Sequence, residues 1–330
     1  MNKKLKVILQ ILSDGNYHSG AELGAKLKLT RGAIWKIIKQ FKKYDIDIEA
    51  KTNLGYRIPQ GIELLDKKNI TQYVDNKNLR YINKIEIFDE LASTNTYLAD
   101  EIKTSDTNNI CFAEHQTAGR GRLGRSWLSP FAKNIYLSLS WQFTKSPQEL
   151  SSLGLAVAVA ITEALKIYGI KEDIALKWPN DVLWQNRKLA GILVELFGET
   201  HHVYNAIIGV GLNVNMPPKL GKKITQKWCD IAQITNSKPQ RNKLAGILLD
   251  QLLIAVSNYQ DAGLKPFIKK WRKLDASYGK KVTIITPLQK FTGTGLGINE
   301  SGYFLLKDSF GKVRAFAAGE VSLKYGSRRL

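Results

Sequence analysis

The stretch GRGRLGR, Gly119 to Arg125, decides which fold the middle of this chain can adopt. Its glycines have the G-x-G-x-x-G spacing of a dinucleotide-binding turn, which needs a strand before it and a helix opening from it. A strand-like run, Ile110 to Glu114, does precede it. The segments that follow, SWLSP and NIYLSLSW, contain Pro130 and alternate with the period of two that is typical of a strand. No helix can present its N-terminus to a pyrophosphate here, so the sequence excludes a Rossmann turn.

The same stretch is suited to holding an anion. Arg120, Arg122 and Arg125 carry planar guanidinium groups that match phosphate or carboxylate oxygens. The glycines between them allow backbone conformations and close approaches that other residues resist. We predict a mobile loop that closes on an anion, and the stretch alone leaves a solvated basic loop as the alternative.

Length and composition indicate a globular protein of two or three domains. The chain has 330 residues, 44% of them hydrophobic, which is enough for sizeable cores. There is no apolar run of about 18 residues, and the N-terminus lacks the cleavage region of a signal peptide. Two cysteines, Cys111 and Cys229, are too few for a disulfide framework. We therefore expect a cytoplasmic protein with reduced thiols, no membrane partner and a buried, unreactive Cys111.

The net charge of +20 is large and uneven. Residues 265–330 alone hold 14 Lys and Arg against 4 Asp and Glu. Such a field favours polyanions or acidic partners, although high charge also serves solubility.

The first 62 residues have the pattern of a winged helix-turn-helix. Apolar residues at helical spacing predict a helix over residues 3–13. Ser19 and Glu22 predict a capping box at the start of a second helix. A third helix is predicted over TRGAIWKIIKQFKKY, and two strand-like runs, IDIEA and LGYRI, follow it.

One face of the third helix is basic, which predicts DNA binding. In a helix-turn-helix this helix enters the major groove, with the hairpin beside the backbone. The alternative is a small helical module with a solvated lysine face, and the sequence does not decide whether Trp35 meets DNA or packs against the wing. The candidate DNA-binding residues are Thr30, Arg31, Trp35, Lys36 and Lys39.

The central region, residues 67–272, mixes helices and strands. Ser93-Thr94-Asn95 precedes a predicted helix, Thr96 to Lys103, and serves either as a cap or as a set of ligands for a polar head group. Residues 151–168 are apolar on nearly every face, which predicts a buried helix behind a sheet. Lys177 ends the strand IALKW, either as a surface lysine or as a cation near a substrate anion.

A hairpin is predicted around Asn186-Arg187-Lys188, with Gly191 inside its second strand. A glycine there often marks the close approach of a ligand. His201 and His202 have neither the spacing nor the neighbours of a zinc site, so we expect no structural metal. From Lys280 onward the chain reads as short strands with glycine turns, which predicts a small β-barrel over residues 275–330.

Several separated motifs together resemble biotin protein ligases. They are Ser93-Thr94-Asn95, Gln116 with GRGRLGR, KWPND at 177–181, RKLAGILVE at 187–195 and GLN at 211–213. With the winged helix in front, the whole chain is similar to the bifunctional type that is both biotin ligase and biotin operon repressor. The resemblance implies an α+β fold with a central mixed-sheet domain of the biotin/lipoate ligase type and a C-terminal SH3-like barrel.

The resemblance also implies a reaction and its substrates. Such enzymes join biotin and ATP, with Mg²⁺, into biotinyl-5′-AMP, and then transfer biotin to a lysine of a biotin carboxyl carrier protein. As repressors, they dimerise when the adenylate is bound and then bind operator DNA. Lipoate ligase chemistry on the same fold, and a ligand-sensing regulator without activity, are the alternatives.

The resemblance assigns roles to individual residues. The biotin-binding residues would be Ser93, Thr94, Asn95, Gln116, Arg120, Gly121, Arg122, Lys188 and Gly191. The catalytic residues would be Lys177, Arg122, Asn180 and Asp181, and the adenylate would contact Lys177, Trp127, Asn213, Arg125 and Lys324. Two positions depart from the family pattern, because Trp35 stands where a polar residue is usual and Lys324 where an arginine is common.

Overall fold

The computed structural model describes residues 1–103, 108–171, 173–200, 203–222, 224–318 and 322–325. His201 and His202 lie outside the described residues, and Lys324 is described only as part of a strand. The expectations about the two histidines and about the Lys324 side chain therefore stay predictions.

The N-terminal unit is a three-helix bundle followed by a hairpin, as predicted. Its elements are α1 Lys3–Leu12, α2 Gly20–Leu27, α3 Arg31–Ile38, a 3₁₀ helix Lys39–Tyr44, β1 Glu49–Lys51 and β2 Gly55–Arg57. The Ser19 hydroxyl caps α2 by accepting a hydrogen bond from the Glu22 amide at 3.0 Å. The predicted capping box is wrong in its second half, because the Glu22 carboxylate contacts His18 instead.

The central region combines one sheet with helices on both faces. Its helices are α4 Lys67–Thr71, α5 Asn76–Leu79, α6 Thr94–Glu101, α7 Pro147–Leu150, α8 Leu153–Tyr168, α9 Pro218–Gly221, α10 Ile231–Thr235, α11 Arg241–Ala262 and α12 Lys265–Lys273. Its strands are β3 Lys84–Phe88, β4 Asn109–Ala113, β5 Ile135–Phe143, β6 Ile174–Lys177, β7 Asp181–Trp184, β8 Arg187–Thr200 and β9 Val203–Leu212.

The sheet has the strand order β3-β4-β5-β9-β8-β7-β6. Strands β3 and β4 are parallel and the other neighbours are antiparallel, so the sheet is mixed, as the resemblance implied. Because side chains alternate along a strand, each strand presents one set of side chains to a helical layer and the other set to the opposite side of the sheet. Helices α8 and α11 pack on the first face, with Ile192 and Val210 among the residues buried against them.

Helix α8 is buried, as its uniformly apolar sequence predicted. The segment Pro147–Tyr168 is long and apolar enough to cross a membrane, but 72% of its most apolar window is buried inside the protein. Its hydrophobic surface is therefore buried in the core of the protein.

Two local predictions are wrong. Helix α6 begins at Thr94 rather than at residue 96. The β7–β8 turn is made by Gln185 and Asn186, both with positive φ, so Lys188 lies inside β8. A two-residue turn with two positive φ values matches the twist of the strands that it joins, whereas a type I or type II turn would splay them.

The C-terminal unit is an antiparallel sheet. Its strands are β10 Lys281–Ile285, β11 Lys290–Ile298, β12 Phe304–Lys307, β13 Val313–Phe316 and β14 Ser322–Tyr325, in the order β13-β12-β11-β10-β14. Among the described residues β13 and β14 are the two ends of this order, so the closed SH3-like barrel stays a prediction.

The linker between the first two units is fastened to the central region. The Glu63 carboxylate accepts hydrogen bonds from the backbone amides of Arg241 and Asn242 at 2.6 and 3.0 Å, so it caps α11. The Asn242 side chain donates to the Leu64 carbonyl at 2.8 Å and accepts from the Asp66 amide at 2.8 Å. This segment is therefore held along its length by the start of α11.

Both cysteines are buried with high pKa values, and we expect them to resist alkylation in the folded protein. Cys111 and Cys229 are 0% exposed. Burial raises the pKa of Cys229 to about 12 and that of Cys111 above its usual range, so the reactive thiolate is scarce at neutral pH. Thiol titration should therefore find two reactive groups in denaturant and none without it, and rapid labelling of the native protein would contradict the buried positions.

Candidate functional site

A cavity of about 800 Å³ lies over the sheet face opposite α8. Glycines form part of its floor, because a side chain at these positions would collide with the Trp127 ring above them. A Cβ at Gly211 would lie 2.5 Å from the Trp127 ring, and one at Gly191 would lie 2.9 Å from the same ring. Gly191 therefore leaves room for a side chain of the protein itself, and not only for the ligand that the sequence suggested.

The GRGRLGR stretch forms a compact turn at the edge of this cavity. The Gly121 amide donates to the Arg125 carbonyl at 2.6 Å, and the Trp127 amide donates to the Gly119 carbonyl at 2.8 Å. Gly124 has φ of +70°, which favours glycine, and a Cβ at Gly119 would lie 2.6 Å from the Trp127 carbonyl oxygen. The positive φ therefore favours glycine at Gly124, and the close approach of the backbone favours it at Gly119.

Arg120 and Arg122 reach from this turn to different parts of the protein. Arg120 forms an ion pair with Glu195 of β8 at 3.0 Å. Arg122 donates to the Asn180 side-chain oxygen at 3.4 Å and also to the carbonyl of Ala318, beyond β13. Burial lowers the pKa of the Arg122 guanidinium, and the nearby Asp181 opposes that shift. Both side chains therefore have protein partners in this structure.

Lys188 and Asp181 form an ion pair inside the cavity. Their Nζ and Oδ1 atoms are 2.7 Å apart, and both side chains are largely buried. The Lys188 ammonium also lies 5.2 Å from the centre of the Trp127 ring, within the range of a cation–π contact. A cation, a carboxylate and an aromatic face thus meet on the glycine floor.

Two asparagines hold the surrounding backbone. Asn180 donates to the Ile192 carbonyl at 3.0 Å, while its oxygen receives Arg122. Asn213 donates to the carbonyls of Lys188 and Cys229 at 3.3 and 3.1 Å. Their amide nitrogens fix the ends of strands β7, β8 and β9 relative to one another.

The start of α6 and Gln116 form a polar cluster at the opposite end. Ser93, Thr94 and Asn95 are 3 to 4% exposed. The Gln116 side-chain oxygen accepts from the Thr94 amide at 2.9 Å, and its nitrogen donates to the Ser129 hydroxyl at 3.0 Å. The Ser93 side chain makes no capping hydrogen bond to α6, so it does not serve as the side-chain cap that the sequence offered as one alternative.

The cavity brings together nearly all the residues that the sequence singled out for ligand binding and catalysis. Those that line it are Ser93, Thr94, Asn95, Gln116, Arg120, Gly121, Arg122, Arg125, Trp127, Lys177, Asn180, Asp181, Lys188, Gly191 and Asn213. The Lys324 side chain lies outside the described part of the chain.

Sequence reasoning missed several residues of this site. Ser138 and Glu195 contact the polar cluster, and Trp228 and Leu323 line the cavity. Glu195 is part of the motif RKLAGILVE, and its position on β8 could have indicated that it belongs to the site. Trp228 comes from a loop without periodicity, and no sequence signal indicated its position.

The N-terminal unit packs against the far end of the loop that carries the arginines. Phe131 is 1% exposed and belongs to the same buried cluster as the apolar residues of α1 and α3. The Tyr44 ring lies 5.3 Å from the Phe131 ring, and Asp45 lines the cavity. All three units therefore contribute to the surroundings of the site.

The predicted DNA-binding residues lie together on the N-terminal unit, away from the cavity lining. Thr30 caps α3 through a hydrogen bond from the Ala33 amide at 3.3 Å. Arg31, Trp35, Lys36 and Lys39 are exposed, and the Lys39 ammonium lies 3.5 Å from the centre of the Trp35 ring. Trp35 is 47% exposed, which leaves part of its ring open on the predicted recognition surface.

Family models match all three units. The Biotin/lipoate A/B protein ligase family matches residues 87–213, an HTH domain matches residues 4–57, and the Biotin protein ligase C terminal domain matches residues 278–324. The winged helix-turn-helix and the ligase type of the central domain therefore agree with the sequence prediction.

Relatives match almost the whole chain. The "Bifunctional ligase/repressor BirA" proteins of Salmonella typhimurium and Escherichia coli are each 35% identical over 317 residues, which covers 96% of this chain and 96% of theirs. The protein of the same name from Bacillus subtilis is 29% identical, with coverage of 95% and 97%. A biotin protein ligase from Aquifex aeolicus, solved with biotin and ATP, is similar with a TM-score of 0.63 and 27% identity over 74% of this chain and 100% of that one.

Proposed function

Since this chain belongs to the family of bifunctional biotin protein ligases and repressors, we propose that it activates biotin with ATP and transfers it to a protein lysine, and that it represses a biotin operon. The observation that carries the ligase function is the convergence, in one cavity, of the arginine turn, the Lys188–Asp181 ion pair and the polar cluster around Thr94.

The polar cluster would bind the head group of biotin. Ser93 and Thr94 present buried hydroxyl groups and Gln116 a half-buried amide, which suit the oxygen and the N–H groups of a ureido ring. Asn95 lines the same end of the cavity, and the Arg120–Arg122 segment would order around the bound ring. A buried polar cluster of this kind rejects ligands that leave its groups unpaired.

The carboxylate end of biotin would lie near Lys188 and Lys177. Lys188 and the backbone of Gly191 would hold the valerate end, and Lys177 would contact both the carboxylate and the α-phosphate. Trp127, Arg125, Asn213 and Lys324 would contact the adenylate. Lysine ammonium groups at this point would offset negative charge on two anions that must approach each other.

No protein nucleophile is required by this chemistry. The biotin carboxylate oxygen attacks the α-phosphorus of ATP, and the bond to the β-phosphate oxygen breaks, which releases pyrophosphate and leaves biotinyl-5′-AMP. A neutral lysine amine of the acceptor then attacks the acyl carbon, AMP leaves and the amine loses a proton. Positioning and charge stabilisation supply the acceleration in both steps.

The Mg²⁺ that accompanies ATP has suitable oxygen groups within the cavity. Asp181 provides a carboxylate and Asn180 an amide oxygen, and Mg²⁺ commonly binds nucleotide phosphates together with one or two carboxylates. When bound, Mg²⁺ would neutralise phosphate charge. No group of three or more histidine, cysteine, aspartate or glutamate side chains that could hold a metal ion occurs among the described residues.

The acceptor we propose is a biotin carboxyl carrier protein, and the reaction that uses ATP would take place in the cytoplasm. Incubation with labelled biotin, ATP-Mg and a carrier domain should label the carrier lysine. Pyrophosphate exchange with biotin and with lipoate separates the two ligase chemistries. Exchange with lipoate but not with biotin would overturn the biotin assignment, and exchange with neither would leave a DNA-binding regulator.

Repression would use the N-terminal unit and a homodimer. We propose that the adenylate orders the arginine turn, that two chains then pair through an edge of the sheet, and that two winged helices read a palindromic operator. Sedimentation velocity should show the dimer only with biotinyl-5′-AMP. Equal dimerisation without the adenylate would contradict this mechanism and leave the ligase proposal unaffected.

A further inference from the structure

The exposed side of α3 carries a tryptophan between two basic residues. Arg31, Trp35 and Lys39 follow one another at intervals of four residues, so they form one row along the helix. Lys39 ends the helix with backbone angles that are still helical, φ of −60° and ψ of −24°. The sequence of α3, RGAIWKII, contains no acidic residue. This row is therefore cationic at both ends and aromatic in the middle.

Other residues form the buried side of α3. Ile34, Ile37 and Ile38 are 0 to 9% exposed and belong to the hydrophobic cluster of the N-terminal unit. Trp35 is 47% exposed, and the Lys39 ammonium lies 3.5 Å from the centre of its ring. Such a cation–π contact favours one relative orientation of the two side chains. Trp35 is thus presented outwards and held from its own helix.

The wing lies beside the start of α3 and one turn away from Trp35. A Cβ at Gly20 would lie 3.6 Å from the Tyr56 ring and 3.8 Å from Arg31 Nε, so β2 and the starts of α2 and α3 meet at this glycine. The backbones of His18 and Tyr56 exchange two hydrogen bonds of 2.9 Å, which fix β2 to the turn before α2. The wing is therefore placed at the Arg31 end of the row.

Granted the proposed repressor function, on which this inference rests, we propose that Trp35 is a specificity-determining residue whose ring contacts the C5-methyl group of a thymine in the operator. A single exposed apolar side chain is ordinary on a protein surface. Trp35, however, lies in the middle of the surface that would enter the major groove. There, thymine presents a methyl group, whereas the other bases present hydrogen-bond donors and acceptors. An indole ring over a base edge therefore buries apolar surface against thymine and covers polar groups against the other bases.

The two cations of the row would keep the ring above the base edges. Arg31 and Lys39 are eight residues apart, which is about 12 Å along an α-helix, and the major groove is also about 12 Å wide. Contacts of these side chains with phosphates would fix the position of the helix in the groove without reading sequence. Because the Lys39 ammonium lies over one face of the ring, the base would meet the edge or the other face of Trp35.

The test replaces thymine by deoxyuridine, which differs from thymidine only in lacking this methyl group. The full-length protein with biotinyl-5′-AMP first selects duplexes from a random pool, and each thymine of the selected half-site is then replaced in turn. At the contacted position, the unaltered protein should bind about 4-fold more weakly for one methyl group lost, and about 15-fold more weakly when both half-sites lose it. In Trp35→Asn, the thymine and uracil duplexes should bind equally at that position.

Two matched variants separate this contact from others. Trp35→Phe keeps an aromatic ring but removes the indole N–H, so most of the preference for thymine over uracil should persist. Lys36→Gln changes an exposed cation next to Trp35 on the same helix. It should weaken the thymine and uracil duplexes alike and leave the ratio of their affinities unchanged.

Fluorescence anisotropy with labelled duplexes distinguishes the outcomes. A thymine-to-uracil affinity ratio that is the same in Trp35→Asn and in the unaltered protein would overturn the inference. So would an equal loss on every duplex, since that result indicates a phosphate contact of the indole N–H. A full-length protein that selects no DNA sequence in the presence of the adenylate would overturn the proposed repressor function instead.

Discussion

Replacing Arg122 with glycine is expected to speed the escape of biotinyl-5′-AMP by about 30- to 150-fold, which corresponds to about 2 to 3 kcal/mol of lost charged hydrogen bonds. The Arg122 guanidinium joins the arginine turn to Asn180, between β6 and β7, and to the Ala318 carbonyl in the C-terminal unit. Without it, the turn loses these two attachments beside the proposed adenylate site. The released mixed anhydride would then acylate lysines without a carrier domain.

The matched control for this variant is Leu123→Gly. It adds the same flexible residue to the same turn, at a side chain that is 52% exposed and a backbone with φ of +55°, where glycine is favoured. Stopped-flow measurement of adenylate dissociation should find it close to the unaltered protein. Equal dissociation rates for Arg122→Gly and the unaltered chain would show that this guanidinium does not retain the adenylate.

The variant Arg241→Met is expected to cost about 3 to 5 kcal/mol of unfolding free energy, because it leaves a buried carboxylate without its partner. Arg241 and Glu114 lie 2.7 Å apart, with side chains only 4% and 3% exposed. Arg241 also donates to the Asn134 carbonyl at 2.9 Å, and Glu114 accepts from the Leu65 amide. The pair thus ties the start of α11, the end of β4 and the linker together.

Denaturant unfolding, followed by fluorescence, measures this loss. The double variant Glu114→Gln with Arg241→Met removes both charges, so it should lose less stability than Arg241→Met alone. Lys103→Met breaks an exposed pair with Asp100 on the surface and should have no measurable effect. A single variant as stable as the unaltered protein would show that Glu114 is protonated or solvated in its absence.

The order of the units was predictable because each leaves a local pattern. The α2 cap at Ser19, the apolar surface of α8 and the period-two sequence that predicted β5 are short-range signals. The cap, the buried helix and the strand are all found, although β5 is buried on both faces. The turn at Gln185 and Asn186 was misplaced, because positive φ values are set by the pairing of β7 with β8 rather than by strong turn residues.

The sequence by itself determined which chemical groups this protein has for an anion and a polar head group, because arginines, lysines and glycines at fixed spacing are local properties of the chain. Only the tertiary structure decided their partners. Arg120 and Glu195 are 75 residues apart in sequence, and Arg122 and Ala318 are 196 apart. Contacts between distant segments follow from strand register and helix packing, which no local pattern encodes.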